Sequence, residues 1–171
     1  MARGTRATAM LVKGGIAHGV HAYDYSADVA GKGLAAAQAL GIEPARVFKT
    51  LMAWVDQRPV VAAIPCDRRL SLKKLAAAFA GKHARMMEID EAERRSGYKV
   101  GGISPFAQTR PAETVFADSA QDHSTIYLNA GQRGLLLDIA PDDALRLLQA
   151  RCADLCEQAG ATPRPAECGS G

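Results

Sequence analysis

The sequence predicts a single α/β (α+β) domain, with a mixed, largely antiparallel sheet surrounded by helices, and three observations predict it. Two apolar runs of strand length, 47–55 and 59–64, are separated only by Asp56-Gln57-Arg58, which marks a hairpin. Capped or amphipathic helical stretches are interleaved with further strand-length runs rather than segregated from them. No internal repeat and no linker divides the 171 residues, about the length of one ordinary domain.

The elements follow in order. Residues 5–13 read as a helix with Thr5 as N-cap and Gly14-Gly15 as its stop, packing through Ala9, Met10 and Val12. Gly19-Val20-His21-Ala22-Tyr23 alternates weakly and reads as a short strand, leading into a polar loop over 24–33. An Ala-rich helix at 34–40 is closed by Gly41, and Ile42-Glu43-Pro44 carries the chain into the hairpin. Ser71 caps a helix over 72–80 that Gly81 ends, and Asp90 with Glu93 three residues later is a capping-box pattern opening another. Strands are expected at 114–117, 125–129 and 135–139, the last two joined by the Gly-bearing turn 130–134. A final amphipathic helix is predicted from Pro141 to about Glu157, with Ala144, Leu147, Leu148, Cys152 and Leu155 on one face. The domain is therefore expected over 1–158, and 159–171, rich in Pro, Gly and Ala, is expected to be a flexible tail.

Composition narrows the function classes. Apolar residues make up 48% of the chain, though 33 of them are Ala, and 23% are charged, which argues against disorder, a fibrous repeat or a membrane protein. No run approaches the roughly 20 apolar residues of a spanning helix, and Met-Ala-Arg-Gly-Thr-Arg is not followed by an apolar signal core, so a cytoplasmic protein is expected. A net charge of +3 permits an anionic partner without the basicity of a chain that wraps duplex nucleic acid unaided. The four cysteines, Cys66, Cys152, Cys156 and Cys168, form no CxxC and read as reduced thiols. Cys152 and Cys156 lie one turn apart on the predicted helix, but no second pair of metal ligands accompanies them.

The chemistry-bearing candidates are few. In the strand Val47-Phe48-Lys49-Thr50-Leu51, alternation places Lys49 on one face with Val47, Leu51 and Ala53. An ammonium among apolar neighbours costs desolvation energy, so Lys49 either floors a cleft where it meets phosphate or a developing oxyanion, or snorkels from a strand end. The run Tyr98-Lys99-Val100-Gly101-Gly102-Ile103-Ser104-Pro105 either brings backbone N–H groups close to a ligand or is an ordinary tight connection. It is neither GxGxxG nor a P-loop. Cys66 with one of His18, His21, His83 or His123 would make a thiol nucleophile, but the adjacent Asp67 raises rather than lowers a thiol pKa and favours a structural role. Asp138, a charge inside an apolar strand, is either an outer-face carboxylate or part of a polar site.

Taken together, Val47-Phe48-Lys49-Thr50-Leu51, Ser96-Gly97-Tyr98, Gly101-Gly102-Ile103-Ser104-Pro105, Ile126-Tyr127 and Gln132-Arg133-Gly134-Leu135 resemble the YbaK family of Cys-tRNA(Pro) deacylases. His21-Ala22-Tyr23, Leu72-Lys73-Lys74 and Ile139-Ala140-Pro141 fall in the same order, and the similarity extends from the first helix to about Glu157. The resemblance implies an editing-domain fold, a mixed sheet or partial barrel wrapped by helices. It implies hydrolysis of the ester joining a wrong amino acid to the terminal ribose of tRNA(Pro), an error of prolyl-tRNA synthetase, which is thereby an implied partner alongside the tRNA 3′ end. It also implies that activity depends on Lys49 and that Gly101, Gly102, Ile103, Ser104 and Pro105 line the aminoacyl-adenosine pocket. Tyr23, Thr50 and Ser104 are expected to position substrate, with Asn129 and Asp138 as further substrate-binding candidates. Neither metal nor cofactor is implied. In such a mechanism the thiol of the mischarged cysteine attacks its own ester carbonyl, and the protein supplies orientation and charge stabilisation. Departures from the family pattern fall at Asn129-Ala130, where a small Ser-Gly pair is common, at Leu136, where a polar residue is common, and at Phe106-Ala107, where Leu-Gly is common. They leave removal of alanine from tRNA(Pro) as an alternative. A second is a non-catalytic module that binds a tRNA end or nucleotide, which intact Lys49 and Gly101 to Pro105 argue against.

Overall fold

The structure is a computed structural model, and it describes residues 4–29 and 31–158. The tail at 159–171 and its Cys168 lie outside the described residues. The elements run α1 (Arg6–Lys13), β1 (His18–Ala22), α2 (Lys32–Leu40), β2 (Phe48–Val55), β3 (Arg58–Pro65), α3 (Leu72–Ala78), β4 (Ala84–Met86), α4 (Ile89–Ser96), β5 (Glu113–Ala117), β6 (Ile126–Gln132), β7 (Leu135–Ile139), α5 (Pro141–Leu148) and β8 (Arg151–Ala153). Among the described residues no helix is long and apolar enough to cross a membrane.

The strands form two sheets. One is five-stranded, ordered β4-β2-β3-β5-β8, antiparallel from β4 to β3 and parallel from β3 to β8. The other is three-stranded and antiparallel, ordered β1-β7-β6. A parallel bridge from Val47 to Tyr127 is where the start of β2 meets β6, so the sheets touch as an incomplete barrel. The predicted hairpin is the centre of the larger sheet. Val55 pairs with Arg58 across Asp56-Gln57, and Asp56 takes the left-handed conformation the turn requires (φ 52). Its carboxylate accepts the backbone N–H groups of Lys82 and His83. From Val60 to Pro65 β3 is buried on both faces, as a covered central strand must be, and fully buried Phe48, Ile64, Phe116, Ile126, Leu128 and Leu137 share the main core.

Four expectations need correction. α1 is capped as predicted, Thr5 and Thr8 forming a reciprocal capping box, but it buries Ala7, Thr8 and Leu11 and leaves Val12 exposed. The hydroxyl of Thr5 donates to the carbonyl of Ala130 (2.5 Å), and this tie to β6 sets which face turns inward. α4 starts two positions earlier than expected, with Glu88 at the N-cap and no side-chain cap. Glu93 does not close a capping box with Asp90, and instead its carboxylate accepts the N–H of Val100 (2.8 Å). The 130–134 turn tightens to Arg133-Gly134, because β6 continues through a bulge to Gln132, which pairs with Leu135. The last helix ends at Leu148, where Gln149 turns left-handed (φ 51) and Ala150 donates back to Leu145. Arg151–Ala153 then pair with Val115–Ala117, because the open edge of β5 offers a ladder that a ninth helical turn residue cannot match. Cys152 and Cys156 are therefore not on one helix. Cys152 lies in β8, and Cys156 bridges to Leu70.

Candidate active site

Phe48 at the start of β2 belongs to the main core, while the residues around it floor a cavity of about 490 Å³, within the usual range for a small-molecule site. Val47, Lys49, Thr50 and Met52 line it, roofed by Gly31, Lys32 and Gly33 at the start of α2 and by Gly101 and Ile103 of the loop after α4. Asn129 and Leu136 close it from the smaller sheet. No histidine, aspartate or glutamate is among the described residues lining it; the ionisable ones are Lys49, Lys32, Cys66 and Tyr23.

Lys49 is the chemical centre of this cavity. Loss of solvent holds its ammonium below the ordinary lysine pKa, and Arg69 pushes in the same direction, while Cys66, Cys156 and Asp67 oppose the shift. Among the described residues no carboxylate forms a salt bridge with it. A cation held in a low-dielectric pocket without a counter-ion is a preorganised partner for negative charge that appears there. Beside it, the hydroxyl oxygen of Thr50 is buried and has no hydrogen-bond partner among the described residues, so it is free to meet a ligand.

The remaining predicted residues divide into two groups. Tyr23, Gly101, Ile103 and Asn129 reach the cavity with Lys49 and Thr50. Burial raises the pKa of the Tyr23 phenol, keeping it a neutral donor. Gly101 stands at φ +90 with Tyr25 against it, where any side chain would meet the Tyr25 ring and hydroxyl. Asn129 locks the loop in place: its amide donates to the Gly101 carbonyl (3.0 Å) while its oxygen accepts the N–H groups of Gly131 (2.7 Å) and Gln132 (3.2 Å).

Gly102, Ser104, Pro105 and Asp138 do not line the cavity. A Cβ on Gly102 would meet the backbone of Arg133 and Gln132, so this glycine lets the loop lie against the β6–β7 turn. Ser104 is fully buried: its hydroxyl accepts the N–H of Phe106 (3.2 Å) and its carbonyl accepts the side-chain amide of Gln108 (3.0 Å), which makes it a loop-shaping residue. Pro105 is buried beside it. Asp138 takes up the sheet-face alternative, bonded to the His21 ring (2.5 Å). Cys66 reaches the cavity but is no nucleophile, because burial, with Asp67 adding to it, pushes its thiol up to about 11, and the thiol donates to the Pro44 carbonyl (3.3 Å).

Sequence reasoning missed Lys32, Met86, Met87 and Ile89, all of which line the cavity. The sequence places Lys32 in the loop at 24–33, whereas it opens α2. Its ammonium lies 5.4 Å from the centre of the Tyr25 ring, as does the guanidinium carbon of Arg133, so Tyr25 gathers two cations beside the cavity. Met86-Met87 follows a three-residue strand too short to show any period. An exposed Ile89 at the head of a polar helix was the available signal.

Residues 32–147 match the family model described as the aminoacyl-tRNA editing domain. A relative from Enterococcus faecalis (strain ATCC 700802 / V583), with the provisional name Cys-tRNA(Pro)/Cys-tRNA(Cys) deacylase EbsC, is 39% identical over 120 residues, spanning 70% of this chain and 73% of that protein. The uncharacterized protein YwhH of Bacillus subtilis (strain 168) is 25% identical over 109 residues, 63% of this chain and 69% of that one. Among solved structures, one described provisionally as a trans-editing enzyme for prolyl-tRNA synthetase superposes with a TM-score of 0.78 at 22% identity, covering 90% of this chain and 96% of that one. The hypothetical protein APE2540 superposes with a TM-score of 0.78 at 23% identity, covering 90% of this chain and all of that one (100%). At these identities the two structures show the fold.

Proposed function

The chain belongs to the aminoacyl-tRNA editing domain family, and from that premise we propose that it removes cysteine from mischarged tRNA(Pro), with Lys49 as the residue on which catalysis depends. The observation that carries this is the unpaired, desolvated ammonium of Lys49 in a cavity whose described lining holds no histidine and no carboxylate. Such a lining offers no histidine or carboxylate with which to activate water or a protein hydroxyl, and its one thiol is held protonated. What it offers is orientation and positive charge.

Ester cleavage that needs only those supplies its nucleophile from the substrate. The cysteine thiol attacks the carbonyl carbon of its own ester, and the C–O bond to the ribose breaks. The proton lost by the thiol ends on the ribose oxygen, and the cyclic thioester departs to be opened by water. Charge building on the carbonyl and ribose oxygens faces Lys49, with the Thr50 hydroxyl as a further donor. Tyr23 and the loop held by Asn129 fix the substrate around them. Gly102, Ser104 and Pro105 act one layer back by shaping that loop.

Editing implies contact with the acceptor end of a tRNA, and a net charge of +3 offers few phosphate contacts, so the chain acts with prolyl-tRNA synthetase to capture its substrate, in the cytoplasm where charging takes place. A second reading, removal of alanine, is favoured by the apolar side chain of Leu136 at one end of the cavity. Both are tested by incubating the purified protein with Cys-tRNA(Pro), Ala-tRNA(Pro) and Pro-tRNA(Pro), with and without the synthetase. Loss of the cysteinyl ester with the prolyl ester spared is expected; preferential loss of the alanyl ester supports the second reading, and survival of both mischarged esters overturns the activity.

A further inference from the structure

The single tryptophan of the chain, Trp54, lies outside the cavity and holds two guanidinium groups. The guanidinium carbon of Arg85 stands 5.7 Å from the centre of its ring, and that of Arg95 5.1 Å. Trp54 is on β2, Arg85 is its cross-strand partner on β4, and Arg95 is in the last turn of α4, so three elements converge on one half-buried indole. Glu91 would be the ordinary partner of Arg95, four residues along the same helix. Its carboxylate instead accepts the indole N–H of Trp54 (3.1 Å), and among the described residues no salt bridge engages either arginine. The Nε of Arg95 is buried and has no hydrogen-bond partner among them. The helix dipole favours a basic residue at a helix C-terminus, but it explains neither Arg85, which comes from a strand, nor a buried guanidinium N–H left without an acceptor. Stacking on the indole holds both guanidiniums in place without neutralising them, so their N–H groups are preorganised for an anion with several oxygens.

We propose that Arg85 and Arg95, held on Trp54, bind the phosphodiester backbone of the acceptor arm of a tRNA. This rests on the deacylase activity proposed above, which requires an RNA strand to lead up to an ester at Lys49. Position supports it. Thr50, Met52 and Trp54 alternate onto one face of β2, so Trp54 stands about 13 Å beyond Thr50 at roughly 3.3 Å per residue. Met52, Met87 and Ala92 line the cavity, and Trp54 packs against the same three side chains. Met86 and Ile89, 40% and 62% exposed, also line the cavity and neighbour the stack on β4 and α4. A strand whose end occupies the cavity therefore reaches the arginines over a continuous surface. Arg94 and Arg110 are exposed beside Arg95, whose carbonyl accepts the N–H of Arg110 (2.9 Å), while the acidic Glu88 and Asp90 sit at the opposite end of α4. In a chain with a net charge of +3, two preorganised phosphate contacts are a large part of its attraction for RNA.

Because Trp54 is the one tryptophan, it reports on its own site. Titrating uncharged tRNA(Pro) into the full chain should change its fluorescence. Filter binding between about 50 and 200 mM salt should lose about one unit of slope in Arg85→Gln and about two in Arg85→Gln with Arg95→Gln. Circular dichroism confirms the fold, and Arg85→Gln, at an exposed position, removes one cation without disturbing a buried atom. In single-turnover hydrolysis of Cys-tRNA(Pro), the double variant should raise the concentration giving half-maximal rate about tenfold, more than it lowers the saturating rate. An unchanged slope and unmoved fluorescence in a protein that hydrolyses Cys-tRNA(Pro) overturn the proposal. Variants that bind tRNA normally and lose only their response to prolyl-tRNA synthetase also overturn it, since the arginines would then meet the protein partner. A protein that shows the slope changes yet hydrolyses neither mischarged ester keeps the phosphate site and loses the deacylase activity.

Discussion

Replacing Lys49 by methionine should abolish catalysis and leave the protein no less stable. The ammonium lies partly buried in an apolar cavity, and burial is the main cause of its lowered pKa, so in the absence of substrate its charge is a cost to the fold. Methionine keeps the length and the apolar contacts of the stem while deleting the charge. Alanine does not: it removes three methylenes worth about 0.8 kcal/mol each when fully buried, or about 1 kcal/mol in all at half burial. Lys49→Met is therefore expected to match or exceed the wild type by up to about 1 kcal/mol, equivalent to about 2–4 °C in Tm for a chain of this size. Deacylation should fall by at least about a hundredfold, the scale of losing one preorganised electrostatic donor. Thermal unfolding followed by circular dichroism and single-turnover hydrolysis of Cys-tRNA(Pro) measure the two halves. A variant within tenfold of wild-type activity would refute the catalytic role, and a loss of more than about 2 kcal/mol would show that the ammonium holds the structure together.

The same lysine sets the pH dependence. Deacylation that needs the ammonium should decline as pH rises through a pKa below 10.5, a limb absent from Lys49→Met. Between that lowered pKa and 10.5 the unfolded chain binds more protons than the folded one, so the wild type gains stability with rising pH and the stability gap to Lys49→Met narrows there. Cys66→Ala should retain activity within about threefold, since its thiol is protonated and already spent on a backbone carbonyl; inactivity in a folded variant would point to a protein thiol as nucleophile. Lys32→Ala should weaken tRNA binding and reduce the salt slope by about one, because its ammonium stands at the cavity beside Arg133; an unchanged slope in filter binding would remove Lys32 from the phosphate path. Gly101→Ala should cost about 1–3 kcal/mol and displace the loop, from its positive φ and its contact with Tyr25. Chemical denaturation reads that cost, and a neutral result would mean the loop adapts.

What could be read in the sequence is what local pattern encodes. The β2–β3 hairpin is two apolar runs around a polar turn, and a lysine inside the first of them is conspicuous because nothing else in the run is charged. Gly101-Gly102 is visible for the same reason, and each glycine has a close backbone or ring contact that explains it. The misreadings fall where a distant partner decides. Residues 151–153 carry a helical pattern yet become a strand, because the edge of β5 is within reach. The inward face of α1 depends on a hydroxyl finding a carbonyl on β6. Ser104 looks like a ligand contact in sequence, but its hydrogen bonds are used inside its own loop. Asp138 gains its partner only when β1 is laid against β7 and Gly19 leaves room for the carboxylate. The methionines that line the cavity come from β2 and from Met86-Met87 at and just after β4, and no single stretch announces them.

The central claim is that this cavity contributes charge and orientation while the substrate contributes the nucleophile, and one comparison tests it most directly. Cys-tRNA(Pro) and Ser-tRNA(Pro) differ by sulfur against oxygen in side chains of nearly equal size, so both esters reach Lys49 in the same geometry. In single-turnover assays with the wild-type protein, the cysteinyl ester should be lost at least about a hundredfold faster than the seryl ester, because a thiol is far the better internal nucleophile. Equal rates for the two esters would contradict the account, since water or a protein group would then be the attacking species.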